Sequence, residues 1–263
     1  MANNKVKYGL KNVYYAIATI DELTNTATYG DPKPWKGGVS LSLEQQGDTT
    51  KFRADNIDYW VGTSNNGYSG DLETALIPES FKVDVLGDIE DSNGVLVEDA
   101  GAKTVHFALM FQFEGDAKAT RHVLYNCTAT RPSVGGQTTS ENIEPQTETV
   151  TITAVSIHNS GLDKDLVKGR VSEDEAQYSS WFSAVYQPTT IATYYTVTFD
   201  TDGGTAIPAQ SVRSGGKATK PADPTKSGYT FGGWYKEDTF TTAYNFNTDT
   251  IAADTTIYAK FTS

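Results

Sequence analysis

The clearest pattern in the chain is an alternation of apolar and polar side chains between residues 105 and 129. This alternation has the period of a β-strand that buries at least one face. The turn sequence EGDAK divides it into two runs, which predicts an antiparallel hairpin at the centre of a core. The apolar positions are Val105, Phe107, Leu109, Phe111, Phe113, Val123, Tyr125, Cys127 and Ala129.

Two segments near the N-terminus also have strand patterns. The sequence KNVYYAIATI, from Lys11, is rich in β-branched and aromatic residues, and the turn-forming DELTN separates it from TATYG. This arrangement predicts a second hairpin. In KGGVSLSL, alternate residues place Val39, Leu41 and Leu43 on one face, which we expect to be buried.

The stretch from Gln45 to Ile77 is polar and rich in turn residues, and it is long for a connection within a compact domain. Its aromatic residues argue against disorder. Two interpretations stay open: a projecting arm that docks on a partner, or a segment that folds back on its own domain. The residues that would make the contact of a projecting arm are Phe52, Tyr59, Trp60 and Tyr68.

One or two short helices are predicted in an otherwise β-rich chain. In PESFKVDVLG a proline suits the first turn and a glycine the end, while Phe81, Val85 and Leu86 fall on one face. Ser172 and Glu175 form a capping box, which favours a helix in AQYSSWFSAVY. The side chains of that second helix expected to pack on the sheet are Trp181, Phe182 and Val185.

Charge divides the chain into two parts. Residues 1–190 contain 15 Lys and Arg against 26 Asp and Glu, whereas residues 191–263 contain 6 against 7. A proline and a short linker separate the parts, so two domains, 1–190 and 191–263, are predicted, and 38% hydrophobic residues can fill their cores. The acidic first domain should repel the phosphates of nucleic acid.

Groups that carry common enzymatic chemistry are not gathered in the sequence. His106, His122 and His158 lie on different predicted strands without metal-ligand spacing, and the nucleophile-elbow, phosphate-loop and dinucleotide motifs do not occur. Cys127 is the single cysteine, so we expect a buried thiol and no intrachain disulfide. We therefore expect no catalytic residue, no cofactor and no metal.

Two features of the sequence bear on its location. The longest apolar stretch is far shorter than a membrane span, and MANNKVKYGL lacks the apolar segment of a signal peptide. We therefore expect synthesis in the cytoplasm and no insertion into a membrane.

Three pieces of the C-terminal part occur in a characteristic order: VTFDTDGGT, PADPTKSGYTFGGWY and TIYAKF. On these pieces the unit resembles the internalin-type B-repeat of bacterial surface proteins. The resemblance implies a small β-grasp-like domain used for spacing or adhesion, with a host cell-surface glycan as the ligand class if it binds one. The aromatic core that it implies consists of Phe199, Tyr229, Phe231, Trp234, Phe246, Tyr258 and Phe261.

Four pieces of the first part carry another resemblance: GLKNVYYAIAT, KGGVSLSLE, KFRADNIDYWVGTSNNGYSGDLETALIPESFKVDVLG and KGRVSEDEAQYSSWFSAVYQP. They resemble the phage major tail protein, the tail tube subunit of phages with long noncontractile tails. The family implies a β-sandwich or barrel-like domain that assembles into hexameric rings, which stack into a hollow tube for DNA. Its expected partners are further copies of itself and the tape-measure, tail terminator and tail tip proteins.

Together the resemblances predict a structural virion protein of the tail tube, made in the host cytoplasm. The arm would connect the rings, DNA would pass without specific binding, and the C-terminal domain would be displayed outside for weak adhesion to a host surface. Two alternatives stay open. One is a bacterial cell-surface adhesin that carries a B-repeat, and the other is a glycan-active enzyme that uses paired carboxylates.

Overall fold

The computed structural model of the protein describes residues 8–116, 118–136, 138 and 145–263. Most of the sequence MANNKVKYGL and one residue of the predicted EGDAK turn lie outside these ranges. The chain forms two compact units, and the boundary falls between Thr189 and Thr190. Each unit encloses a hydrophobic core of its own.

The first unit is built mainly from β-strands. It also contains one α-helical turn, α1 (Glu79–Phe81), which continues into one π-helical turn over Lys82–Leu86. The strands are β1 (Tyr8–Asp21), β2 (Thr26–Tyr29), β3 (Lys33–Trp35), β4 (Gly38–Gln45), β5 (Thr49–Ala54), β6 (Ile57–Thr63), β7 (Tyr68–Thr74), β8 (Ile89–Glu90), β9 (Leu96–Val97), β10 (Phe107–Glu114), β11 (Arg121–Ala129), β12 (Glu148–Val155), β13 (Ile157–Asn159), β14 (Lys164–Leu166) and β15 (Lys168–Val171).

Eleven of these strands form one large sheet with the order β14-β13-β2-β1-β10-β11-β12-β7-β4, while β3 pairs with β1 and β15 with β11. The hairpin predicted from the alternating pattern is confirmed as β10 and β11, near the middle of this order. Both faces of β10 are buried, since its side chains enter two different hydrophobic clusters. The predicted N-terminal hairpin is confirmed as β1 and β2.

A bulge in β11 changes the direction of its side chains. Phe107 pairs with Cys127, whereas Leu109 pairs with Leu124, so β11 has one residue more than β10 across this interval. Leu124 and Cys127 therefore enter the same cluster, although a regular strand would place them on opposite faces. The predicted burial of the Cys127 thiol is confirmed.

The first hydrophobic cluster is organised around Phe81 of α1. The centroid of its ring lies 5.1 Å from that of Tyr15, 4.3 Å from that of Trp35 and 5.3 Å from that of Phe107. All four side chains are buried. Burial raises the pKa of the Tyr15 hydroxyl, which donates a 2.8 Å hydrogen bond to the Asp84 carboxylate. The short helix predicted in PESFKVDVLG is thus confirmed, and its apolar face closes one end of the core.

The second predicted helix, after Ser172, is wrong. From there to Ser183 the chain forms successive turns, in which the N–H groups of Glu175, Tyr178, Trp181 and Ser183 each donate to the carbonyl three residues earlier. In an α-helix the carbonyl of Tyr178 would accept from the residue four positions later. Instead it accepts from the N–H of Trp181 and from the guanidinium of Arg121, which competes with the helical bond. The predicted packing is nevertheless present: Trp181 and Val185 are buried against the sheet.

The expectation for KGGVSLSL is correct only in part. Leu41 and Leu43 pack against the first cluster, but Val39 is 49% exposed. A shift in pairing between Gly38 and Ser40 marks a bulge at the start of β4, and this bulge breaks the alternation that would have turned Val39 inward.

The second unit contains a four-stranded sheet with the order β17-β16-β19-β18. Its two inner strands, β16 and β19, run parallel, and each outer strand is antiparallel to its neighbour. This mixed order is the one expected of a β-grasp-like sheet. The mainly β fold with a separate C-terminal β domain is confirmed. The strands are β16 (Tyr194–Asp200), β17 (Gln210–Arg213), β18 (Thr230–Tyr235) and β19 (Thr255–Thr262).

Trp234 is the centre of the second unit's core. The centroid of its ring lies 5.3 Å from that of Phe199 and 5.5 Å from that of Phe231, in edge-on contacts. Tyr258 is not part of this cluster, because alternation along β19 gives the inward positions to its neighbours on either side. Tyr229 is 50% exposed and does not enter the core. Phe246 and Phe261 pack against the core cluster, as expected.

Candidate assembly surface

Strands β5 and β6 form a hairpin that is a separate two-stranded sheet. Residues that pair across an antiparallel ladder lie on the same face. Phe52 pairs with Trp60 on one face, and the Trp60 indole lies across Gly62, where a Cβ atom would be only 2.2 Å from the ring. On the opposite face, Lys51 Nζ lies 2.9 Å from Asp58 Oδ2. The hairpin therefore has one apolar face and one charged face.

The large apolar side chains of the hairpin are open to solvent. No residue of β5 or β6 is buried. A two-stranded hairpin is only marginally stable in water by itself, and contiguous exposed apolar side chains are typical of an interaction surface. On the apolar face the exposed fractions are 60% for Phe52, 61% for Ile57 and 56% for Trp60. Tyr59, 69% exposed, is the extra residue of a bulge in β6, and Val61, 51% exposed, pairs with Lys51 on the other face.

Backbone hydrogen bonds join the hairpin to the large sheet. The N–H of Gln46 donates to the carbonyl of Gly67, that of Asn66 to Gln46, and that of Ser64 to Asp48. These bonds continue the antiparallel pairing of β4 with β7, which ends one residue earlier. The hairpin thus extends the β4–β7 pair outward. Of the two interpretations of this stretch, the structure shows the projecting hairpin and not a segment that folds back.

Tyr68 lies outside the hairpin, which corrects its assignment to the arm. It begins β7, where it pairs with both β4 and β12, and it packs against the first cluster. The stretch from Gln45 to Ile77 is therefore not one arm, since β7 is a strand of the large sheet. Leu72 is the one large aliphatic side chain that β7 buries, so the short pattern YSGDLET gave little sign of a core strand.

A cavity of about 190 Å³ opens beside Tyr68. The Nζ atom of Lys168 lies 4.4 Å from the centroid of the Tyr68 ring, and the His122 ring stacks on Phe111 with 5.1 Å between centroids. The sequence did not predict this Tyr68 cavity, because its walls come from five strands that are distant in sequence and become neighbours only in the folded sheet. Its lining includes Leu41, Leu43, Tyr68, Phe111, Phe113 and Lys168.

Strands β4, β7 and β12 present a polar face on the side opposite the first cluster. Asp71 accepts a 2.7 Å hydrogen bond from Thr151, and Glu73 accepts a 2.9 Å bond from Ser40. The three strands contain no Lys or Arg. We call this surface the acidic sheet face; the side chains that form it are Ser40, Ser42, Glu44, Ser69, Asp71, Glu73, Thr149, Thr151 and Thr153.

Titratable side chains do not gather into a reactive centre within the described ranges. There, no group of three or more His, Cys, Asp or Glu side chains could hold a metal ion. His106 Nδ1 lies 2.6 Å from the side-chain oxygen of Asn126, and His158 Nδ1 lies 3.1 Å from Asp165. Burial raises the pKa of the Cys127 thiol, which keeps it protonated and unreactive.

Within the described ranges, no helix combines the length and the apolar character that a membrane span requires.

A large β-sheet unit with a projecting, exposed apolar hairpin, and no metal cluster among the described residues, is typical of a structural protein. The chain belongs to the phage tail tube protein family, whose model matches residues 2–192. A second model, the Listeria-Bacteroides repeat domain, matches residues 195–260. The protein is therefore a structural phage tail protein, and neither matched family is enzymatic. Both predicted resemblances are confirmed.

Relatives with assigned names match a limited part of the chain. Two membrane proteins of Evansella cellulosilytica, one of them named as Gly-rich, are each 34% identical over 97 residues, which is 37% of this chain. Internalin H of Listeria monocytogenes is 44% identical over 79 residues, which is 30% of this chain. The matches cover only 10%, 13% and 14% of these relatives, respectively.

Proposed function

We propose that copies of the protein form hexameric rings that stack into the tail tube, and that the β5–β6 hairpin makes the contact between rings. The observation that carries this proposal is the exposed apolar face of Phe52 and Trp60 on a hairpin without a buried residue. Burial of one large apolar side chain stabilises a contact by about 1.5–3 kcal/mol. Repeated once per subunit, this contribution adds up around the ring.

Electrostatics also favours this hairpin as the contact. Residues 1–190 carry 11 more acidic than basic side chains, so most surfaces of two copies repel each other. Residues 49–63 contain two basic and two acidic side chains, and are neutral overall. The hairpin can therefore approach another copy without the repulsion that other surfaces carry.

Replacing Phe52 and Trp60 together by serine is expected to abolish tube formation, because the apolar contact between rings is lost. Negative-stain microscopy and sedimentation of the purified full chain measure this outcome. The matched control is Tyr229→Ser, which removes an aromatic side chain of similar exposure from the second unit and should leave tubes unchanged. Tubes of normal length from the double variant would contradict the proposal.

Strand β4 offers a second contact, within a ring. It ends the order of the large sheet, and no described residue pairs with its outer edge. An open strand edge is a site for pairing with another chain, and closure of a ring would satisfy it. We place the acidic sheet face, which β4 shares, toward the lumen. Its carboxylates and the absence of cations on its strands would let DNA slide past without binding.

The C-terminal unit is proposed to lie on the outside of the tube as a display module. It has its own core, and residues 191–263 differ by only one charge from neutrality. Its similarity to a repeat of internalin H supports weak adhesion to a host surface, such as a surface glycan. Many copies along a tube would turn weak single contacts into useful avidity. The tape-measure, tail terminator and tail tip proteins would meet the first unit and not this one.

Deletion of residues 191–263 is expected to leave tube assembly intact, because neither the hairpin nor β4 belongs to the second unit. The shortened chain should form tubes of the same inner diameter and a smaller outer diameter, as measured by cryo-electron microscopy. Loss of binding to host cells by the shortened tubes would support the adhesive role. Failure of the shortened but folded chain to assemble would refute the assignment of this unit as a decoration.

A further inference from the structure

The Tyr68 cavity has the size and chemistry of a socket for one aromatic side chain. Its volume is about 190 Å³, and an apolar cavity of about 150 Å³ holds a benzene ring. Leu43, Tyr68 and Phe113 in its wall pack against the first cluster but stay partly exposed. Apolar surface of the first unit's core is therefore exposed to solvent at this place, and an apolar occupant would remove it from water.

The rim of the cavity selects the kind of occupant. Lys168 and Arg170 pair in β15 with alternate residues of β11, so both side chains lie on the side of the sheet that bears the cavity. Both are exposed, in a unit that is acidic overall. A cation attracts the face of an aromatic ring, and indole binds it best. A cationic occupant would be repelled.

The β5–β6 hairpin matches these requirements. Its apolar face presents Trp60, whereas Lys51 and Arg53 lie on the other face, where Asp58 holds them at 2.9 Å and 3.4 Å. Docking by the apolar face would therefore place an indole against the cationic rim without bringing further positive charge to Lys168.

The hairpin of the same copy does not supply the ring. The Trp60 ring lies over Gly62 of its own hairpin and is not part of the cavity wall, and Trp60 precedes Tyr68 by eight residues, a chain length of up to about 26 Å at 3.3 Å per residue. We propose that the Tyr68 cavity receives Trp60 of another copy. This proposal rests on the proposed role of the hairpin between rings. Because donor and socket are different surfaces, the contact is heterologous and repeats without limit along the tube axis.

Two kinds of variant separate the donor from the socket. Trp60→Ser removes the donor, whereas Leu43→Trp fills the socket with a side chain of its own. Each variant alone is expected to form no tubes. Rings of each variant, formed separately and then mixed in equal amounts, retain one functional contact, from the hairpins of the Leu43→Trp ring to the cavities of the Trp60→Ser ring. The mixture should therefore give two-layer particles that do not grow further, as seen by sedimentation and microscopy.

A milder variant tests the charge of the rim without filling the cavity. Lys168→Glu should raise the protein concentration needed for tube formation by roughly 2- to 30-fold, the loss expected for one cation–π contact. Lys164→Glu makes the same charge change on exposed β14, away from the cavity lining, and is the matched control, with no shift expected. Docking should also shift the emission of Trp60 to shorter wavelength, since the other tryptophans are already buried.

The outcomes distinguish this inference from the proposed function. If Leu43→Trp and Lys168→Glu chains assemble as well as the unmodified chain while Trp60→Ser chains do not, the hairpin keeps its role and the cavity is not its socket. If Trp60→Ser chains assemble normally, the cavity is not the socket of Trp60; if chains with both Phe52→Ser and Trp60→Ser also assemble, the role of the hairpin fails as well. Equal effects of Lys168→Glu and Lys164→Glu would show a general effect of charge and would overturn the rim's assignment.

Discussion

Replacing Phe81 by alanine is expected to lower the free energy of unfolding of the first unit by about 3–5 kcal/mol, the loss typical of a fully buried phenylalanine. The reason is its position: three buried aromatic rings, those of Tyr15, Trp35 and Phe107, have centroids within 5.3 Å of its own. Removal of the Phe81 side chain would leave a cavity, because the surrounding side chains on three different strands, β1, β3 and β10, cannot all move inward to fill it. Assembly would suffer as well, since the sheet that carries the hairpin depends on this cluster.

The rate of alkylation of Cys127 measures this loss of stability, and no added label is needed. It is the single cysteine, it is buried in the same cluster, and burial raises the pKa of its thiol. Alkylation therefore requires opening of the first unit, whatever the state of the second. Phe81→Ala should accelerate alkylation by roughly 10²- to 4 × 10³-fold, the factor that corresponds to about 3–5 kcal/mol. Val83→Ala, in the adjoining π-helical turn at an exposed position, is the control and should change the rate little.

An unchanged rate in Phe81→Ala would mean that the aromatic cluster does not limit opening around Cys127. The prediction depends on native packing, so it is checked under native conditions and without denaturant.

The elements that sequence predicted best are those whose signal is local. β10 and β11 carry an uninterrupted alternation of large apolar residues, and the short helix at Phe81 has a proline before it and a glycine at positive φ after it. In both places, propensity and burial favour the same structure. The sequence also singled out the aromatic residues of the hairpin as candidate contacts, because large apolar side chains are rare in a polar stretch that has no partner.

Most of the errors have a common physical cause, which is tertiary contact that a local pattern does not contain. The bulge in β4 exposes Val39. Tyr258 is different: the resemblance placed it in the core, although the local alternation along β19 excludes it. Arg121, distant in sequence, takes the carbonyl of Tyr178 and prevents the helix that the capping box favoured. The Tyr68 cavity was beyond local reasoning for the same reason, since β15 meets β4 and β7 only after the sheet has formed.

Reversal of charge on the acidic sheet face is expected to make tubes retain DNA. In Glu44→Lys/Asp71→Lys, two exposed carboxylates on neighbouring strands become cations, and this change is repeated in every subunit. Lysines that line a narrow channel would release counterions from the phosphates and bind DNA in a manner that weakens steeply with salt. Unmodified tubes assembled with linear DNA should hold none after nuclease treatment, whereas tubes of the variant should hold protected fragments.

Protection from nuclease is the decisive measurement, because it distinguishes DNA inside the tube from DNA bound to its outer surface. Glu22→Lys/Asp238→Lys makes the same change of charge at two exposed positions off this face, so any DNA that its tubes bind should be digested. Protection of Cys127 from alkylation would show that both variants are folded. If tubes of Glu44→Lys/Asp71→Lys bind only digestible DNA, the acidic sheet face lies outside, and some other surface of the first unit must line the lumen.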